Sequence, residues 1–238
     1  MNRQAQAVIM LLFGGAILKA GVGDLYLRYV KEGLRPFLIG AGLLLVAAGI
    51  MTLWYELRPR PAVTDEHGHD HHHEPRVGWL LILPVLGLLL IAPPALGSYA
   101  AGQAGSVLTA QSSASDYPPL PAGDPVDVGL LDYASRAVFD HGRSLTGRTL
   151  RLTGFVTPGP GGEPMLARMV LSCCAADGRP IKVGLTGDGP AGVAPDTWVQ
   201  VVGAYSDRIG KDPVNDADVP YLRVTSWQEI AAPKQQYE

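Results

Sequence analysis

Apolar residues run in long unbroken blocks through the first hundred positions and alternate with polar ones afterwards. Three blocks, 5–22, 36–55 and 77–97, each approach the twenty or so apolar residues that a helix needs to cross a bilayer core. In the first, Lys19 sits where its long stem can carry the ammonium to the interface. A signal peptide is the alternative reading, but the charged amino-terminal region is Arg3 alone, no small-residue cleavage site follows, and a second span comes soon after. The second block carries Gly40, Gly42, Ala47, Ala48 and Gly49, small surfaces on which another helix backbone can approach closely. In the third, Pro84 predicts a kink, and Pro93 with Pro94 the end of the helix. A buried core helix is the alternative here, set against the length and purity of the block. Between the first two blocks, Tyr26 and Tyr29 suit the headgroup level.

The pattern changes after residue 97. Residues 98–126 are rich in Ala, Gly, Ser and Pro and read as a linker. Asp127 is placed to cap a helix over 128–141, with Leu130, Leu131, Ala134 and Val138 on one face. Five strand-like segments follow at 149–156, 165–172, 181–186, 198–202 and 221–227, with Gly154 marking a bulge or bend in the first and a polar loop over 206–220. The expected fold is therefore a helical membrane part of two to three spans followed by a small all-β OB-like barrel with one helix, a small β-sandwich being the alternative. The boundaries expected are a membrane region at 1–97, the linker at 98–126 and the barrel domain at 127–238.

Charge sharpens this division. Only 17% of residues are charged, against about a quarter in ordinary soluble proteins. Before Ser115 there are seven acids and eight bases, and after it fifteen acids and eleven bases. A mildly acidic domain argues against nucleic acid as a partner, because a phosphate backbone requires a basic face. Three spans place the termini on opposite sides of the membrane. The absence of Lys and Arg from Val77 to Ser135 favours a multi-pass cell-membrane protein with a cytoplasmic amino terminus and an extracytoplasmic barrel.

Two stretches carry candidate chemistry. The loop at 58–76 holds His67, His69, His71, His72 and His73 among Asp65, Glu66, Asp70 and Glu74, a donor set that suits zinc or another divalent transition metal. The same loop also reads as a pH-responsive charge cluster or as a merely polar connector. The second stretch is LSCCAAD at 171–177, where Cys173, Cys174 and Asp177 offer two thiols and a carboxylate to a soft metal or a redox step. Against this, neighbouring side chains on a strand point to opposite faces, so the two thiols can share an ion only if the strand has already turned; otherwise they read as small core residues. His141 is the one histidine of the barrel domain. No nucleophile elbow, phosphate loop, HExxH or paired CxxC is present, so no enzymatic activity and no certain cofactor are expected.

Taken together, the apolar spans, the loop HGHDHHH, then GRTLRLTGFV, LSCCAAD, TWVQVVGAY, PYLRVTSWQEI and a tail with Tyr237 resemble a bacterial family of two-component membrane permease subunits that carry a C-terminal domain of unknown function. The resemblance implies an accessory subunit set in membrane lipid beside a larger multi-span permease, with no catalytic residues to transfer. Two other classes stay open on the residues themselves: an independent metal-binding membrane protein working through the histidine loop, and a membrane-anchored thiol redox protein working through Cys173 and Cys174.

Overall fold

A computed structural model describes residues 3–58, 83, 86–87, 91, 94–108 and 117–238. His67, His69, His71, His72 and His73, together with most of the expected third span at 77–97, lie outside the described residues. The chain forms two compact units, one comprising Met1–Tyr26 and Glu32–Pro93 and the other Leu27–Lys31 and Pro94–Glu238.

The first unit is built on two antiparallel helices, α1 (Arg3–Val22) and α2 (Arg35–Leu57), both long and apolar enough to cross a membrane. Their contact is made by small residues. Ala7, Gly14 and Gly21 recur at seven-residue spacing on α1 and meet the face of α2 that buries Gly42 and Gly49. A Cβ on Gly14 would fall 2.7 Å from Val46 Cγ2 and 3.0 Å from the Gly42 carbonyl, and one on Gly49 would fall 3.2 Å from the Ala7 carbonyl. Backbones can approach this closely only where side chains are absent. Gly40, expected to serve the same purpose, has open space around it. Arg35 ends α1 by donating from Nε to the Gly21 carbonyl and from Nη2 to that of Val22, and its guanidinium lies over the Tyr26 ring. Tyr26 is thereby buried beneath a cation.

The second unit contains a closed five-stranded β-barrel with one helix. Its strands are β2 (Thr149–Pro158), β3 (Pro164–Val170), β4 (Arg179–Gly187), β5 (Trp198–Lys211) and β6 (Asp218–Glu229). Antiparallel β2–β3–β4 joins β6 in parallel, β6 pairs antiparallel with β5, and β5 closes the barrel on β2. This is the Greek-key connectivity of an OB-like barrel. Strand β2 lies against β5 through Phe155 and continues against β3 from that same residue. Gly154 sits at this changeover, where a Cβ would fall 2.6 Å from the Ala167 carbonyl.

A short helix α3 (Ser98–Gln103) precedes the barrel, and β1 (Val126–Asp127) adds to β2 in parallel. The helix α4 (Leu130–Phe139) packs against all five barrel strands and so stops one end of the barrel. Its buried face is Leu130, Tyr133, Ala134 and Ala137, an i, i+3, i+4, i+7 stripe, with Leu131 and Val138 at the margins. The Tyr133 hydroxyl, inside the core, donates to the Tyr221 carbonyl at 2.6 Å.

Three details depart from the sequence expectation. Asp127 does not cap α4, because it belongs to the extended β1 and pairs with Arg151; the Leu130 and Leu131 N–H groups instead donate to the Glu238 carboxylate at 2.8 and 2.9 Å. Strands β5 and β6 run on through most of the stretch read as a polar loop. Part of the stretch read as linker is packed on the barrel: Ala101, Ser106 and Leu108 are buried. Residues 104–106 cover a buried ion pair between Lys182 and Asp212, 2.8 Å apart. Lys182 Nζ also donates to the Ala104 carbonyl, and Asp212 accepts the Ser106 and Val214 N–H groups. The ammonium and the carboxylate are thus hydrogen-bonded to the backbone as well as paired with each other, as burial requires.

Candidate functional site

Strand β3 ends at Val170, three residues before the first thiol. The chain then turns. Leu171 donates its N–H to the Glu238 carbonyl while Glu238 donates to the Met169 carbonyl, both at 2.9 Å, so the tail runs beside β3 and fixes where the loop begins. Beneath it, Leu171 and Tyr237 join Phe155, Met169, Trp198 and Ala101 in a second apolar cluster on the outside of the barrel.

The loop closes on itself through Asp177. A 3-10 turn, Ala175–Asp177, brings the carboxylate back over the preceding backbone. There it accepts the N–H groups of Ser172 at 3.0 Å, Cys173 at 2.8 Å and Cys174 at 3.4 Å. In return the Asp177 N–H donates to the Cys174 side chain, giving the reciprocal pattern of a capping box. The segment 27–31 clamps the other side. Lys31 donates its N–H to the Cys173 carbonyl at 3.1 Å, Ala175 donates to the Tyr29 carbonyl at 2.7 Å, and Val30 and Cys174 form a bridge. The Tyr237 hydroxyl, which accepts the Leu96 N–H at 2.8 Å, donates to the Arg28 carbonyl at 3.0 Å.

This turn brings the two thiols together with the carboxylate. One ligand atom from each of Cys173, Cys174 and Asp177 lies within 4.8 Å of the others, with Cys173 exposed and the other two half-buried. The thiols are therefore not core residues, and strand alternation does not separate them. His141 stands elsewhere, exposed at the end of α4 with a φ of 50°, and takes no part in this group.

The electrostatics follow from the hydrogen bonds. The Asp177 carboxyl is lowered to about 2, first by the hydrogen bond it accepts from the Cys173 side chain and then by the backbone N–H donors. The same bond, with a further one to Cys174, pushes the Cys173 thiol up to about 12. At neutral pH the site thus holds an ionised carboxylate against a protonated thiol. Tyr237, Glu238 and the segment 27–31 were invisible as site residues in the sequence, because none carries periodicity or a recognisable motif. The sequence order CCxxD, by contrast, contained the ligand group itself.

Residues 134–238, from within α4 to the tail, match the family model of the DUF1980 C-terminal domain, a domain of unknown function. The match spans the whole barrel and the thiol loop. No curated protein and no solved structure matches the chain.

Proposed function

We propose that this chain is a non-enzymatic accessory subunit of a membrane permease, anchored by apolar helices and presenting its barrel outside the cytoplasm to dock on a larger multi-span partner or to hand it a ligand. The observation that carries this reading is the outward surface of α2. Phe37 and Leu44 are 73% and 70% exposed, and Leu43, Ile50, Met51 and Trp54 continue the same apolar surface. Water penalises such a surface, whereas lipid or a neighbouring membrane helix does not.

The segment 27–31 supports the topology. It follows α1 and precedes α2, and its backbone is paired with the barrel's thiol loop. In this reading the pairing keeps the connection between α1 and α2 on the same side of the membrane as the barrel. Purification of the tagged full chain from native membranes in mild detergent, with mass spectrometry of what accompanies it, tests the reading. A stoichiometric multi-span protein is the expected result, and a chain recovered alone overturns it. Maleimide labelling of the two native thiols from outside intact cells tests the orientation; labelling that requires permeabilisation overturns that part.

A further inference from the structure

We propose that Cys173 Sγ, Cys174 Sγ and the Asp177 carboxylate form a three-ligand site for a thiophilic divalent cation of the zinc class, with the remaining coordination position left open for exchange. The inference stands on the loop geometry and does not require the permease reading.

The donor set selects the ion. Two thiolates and one carboxylate suit a borderline-soft divalent ion, and discriminate against magnesium and calcium, which take oxygen ligands. The spacing fits as well. Zinc–sulfur bonds of about 2.3 Å at tetrahedral angles place two sulfurs roughly 3.8 Å apart. The three ligand atoms already lie within 4.8 Å of one another, so small side-chain rotations at an exposed turn complete the site. Three ligands from one five-residue turn leave one side of the ion to solvent, which suits an ion that is passed on more than one that holds a fold together.

The frame around these ligands is already in place. The carboxylate has about four acceptor positions, and three backbone N–H groups together with the Cys173 S–H engage them. Binding exchanges one donor for another: the S–H···O hydrogen bond is lost, the vacated lone pair goes to the ion, and the backbone bonds that orient the carboxylate remain. For each thiol that enters as thiolate, an S–H bond breaks, a metal–sulfur bond forms with the same electron pair, and the proton passes to solvent. No oxidant is needed. Backbone hydrogen bonds to Tyr29 and Lys31 fix the loop from outside and act as an orienting shell for its ligands.

The thiol redox alternative fits this arrangement less well. A disulfide between neighbouring residues is strained, since their Cα atoms stand about 3.8 Å apart.

The test uses the full chain in detergent with His67, His69, His71, His72 and His73 replaced by Ala, so that the histidine loop contributes no ligand. Cobalt(II) is the probe, because thiolate ligation gives a sulfur-to-metal charge-transfer band that histidine or carboxylate ligation does not. The expected result is one cobalt per chain with that band, displaced by zinc. Cys173→Ser and Cys174→Ser should each diminish the band and weaken zinc binding on the order of a hundredfold. A second measurement needs no substitution at the site: zinc should slow maleimide labelling of both thiols in the unaltered loop. Cobalt binding without the band, or labelling indifferent to zinc, overturns the proposal.

Discussion

The two units bury their interiors by opposite means. In the helix pair the smallest residues face inward and the largest apolar ones outward: Gly14, Gly42 and Gly49 make the contact, while Phe37, Leu44 and Trp54 are exposed. In the barrel Leu150, Leu152, Leu166, Val199 and Leu222 face inward, and polar groups close the surface. Water drives the second arrangement, because burying apolar area removes it from solvent. The first gains nothing that way, since its outer face stays apolar. It gains from close van der Waals approach, the term that remains when the surroundings are lipid. The contrast is between a helix pair long and apolar enough to cross a membrane and a barrel packed against water.

The most damaging way to break the barrel's side of the comparison is to leave half of its buried ion pair. Lys182→Met strands the Asp212 carboxylate, and Asp212→Ala strands the Lys182 ammonium. Each should cost about 3–5 kcal/mol of barrel stability, read from denaturant unfolding followed at Trp198. Replacing both with apolar residues should recover most of that loss. Equal destabilisation by single and double replacements would show that the pair itself, and not an orphaned charge, is the source.

Glycine substitutions probe both units with the same chemistry. In the barrel, Gly154→Ala drives a Cβ against the Ala167 backbone, which has no rotamer to yield, and should cost about 2 kcal/mol. In the helix pair, Gly14→Ala meets Val46 and the Gly42 carbonyl, whereas Gly40→Ala meets open space. Cross-linking between α1 and α2 in membranes should therefore fall for Gly14→Ala and hold for Gly40→Ala. An equal response would mean that the small residues do not set the contact.

The sequence disclosed these features unevenly, and the reasons are physical. Short apolar-rich segments between turn residues revealed all five barrel strands, because each packs into the interior, and Gly154 was marked in advance by lacking a side chain inside such a segment. The outer part of β5, from 203 to 211, and the first three residues of β6 escaped because the hairpin extends beyond the barrel. From Asp207 to Ile209 the residues are exposed, so no face is selected for apolarity, and register shifts at Val202/Gly203 and Ser206/Ile209 break what alternation remains. The thiol pair was visible as composition, but strand alternation predicted separation where the chain had in fact turned. What decided that turn was Asp177, four residues on from Cys173, together with the tail residue Glu238 and segment 27–31, which lie far away along the sequence. In the helix pair, Gly42 and Gly49 were legible as small residues, while the matching stripe on α1 was masked by the glycines and alanines around it.

Tyr237 offers a smaller and more local test. Its hydroxyl links Leu96 to Arg28, and Tyr237→Phe removes both hydrogen bonds while leaving the ring in its apolar cluster. The loss should be about 1–2 kcal/mol. It should appear as faster amide exchange at Lys31 and Ala175, whose N–H groups tie segment 27–31 to the thiol loop, with the inner strands of the barrel unchanged. Uniformly faster exchange throughout the barrel would make the tail part of the global core, not a local clamp.

The smallest effect is a pH dependence confined to the loop. The carboxyl of Asp177 is lowered to about 2 in the folded chain, against about 3.9 for an unstructured aspartate. A depressed value means that the unfolded state takes up the proton first. The carboxylate's stabilising contribution is therefore complete above about pH 4 and is lost as the pH falls toward 2. The stability difference between the natural chain and Asp177→Asn should be constant from neutrality down to about pH 4 and shrink below it, while the same subtraction for Asp127→Asn, whose carboxylate meets only the exposed end of Arg151, should stay near zero throughout. A difference for Asp177 that is already flat and small at neutral pH would mean that the three backbone donors find water as good a partner as the carboxylate. The loop would then lack the fixed acceptor that preorganises its turn.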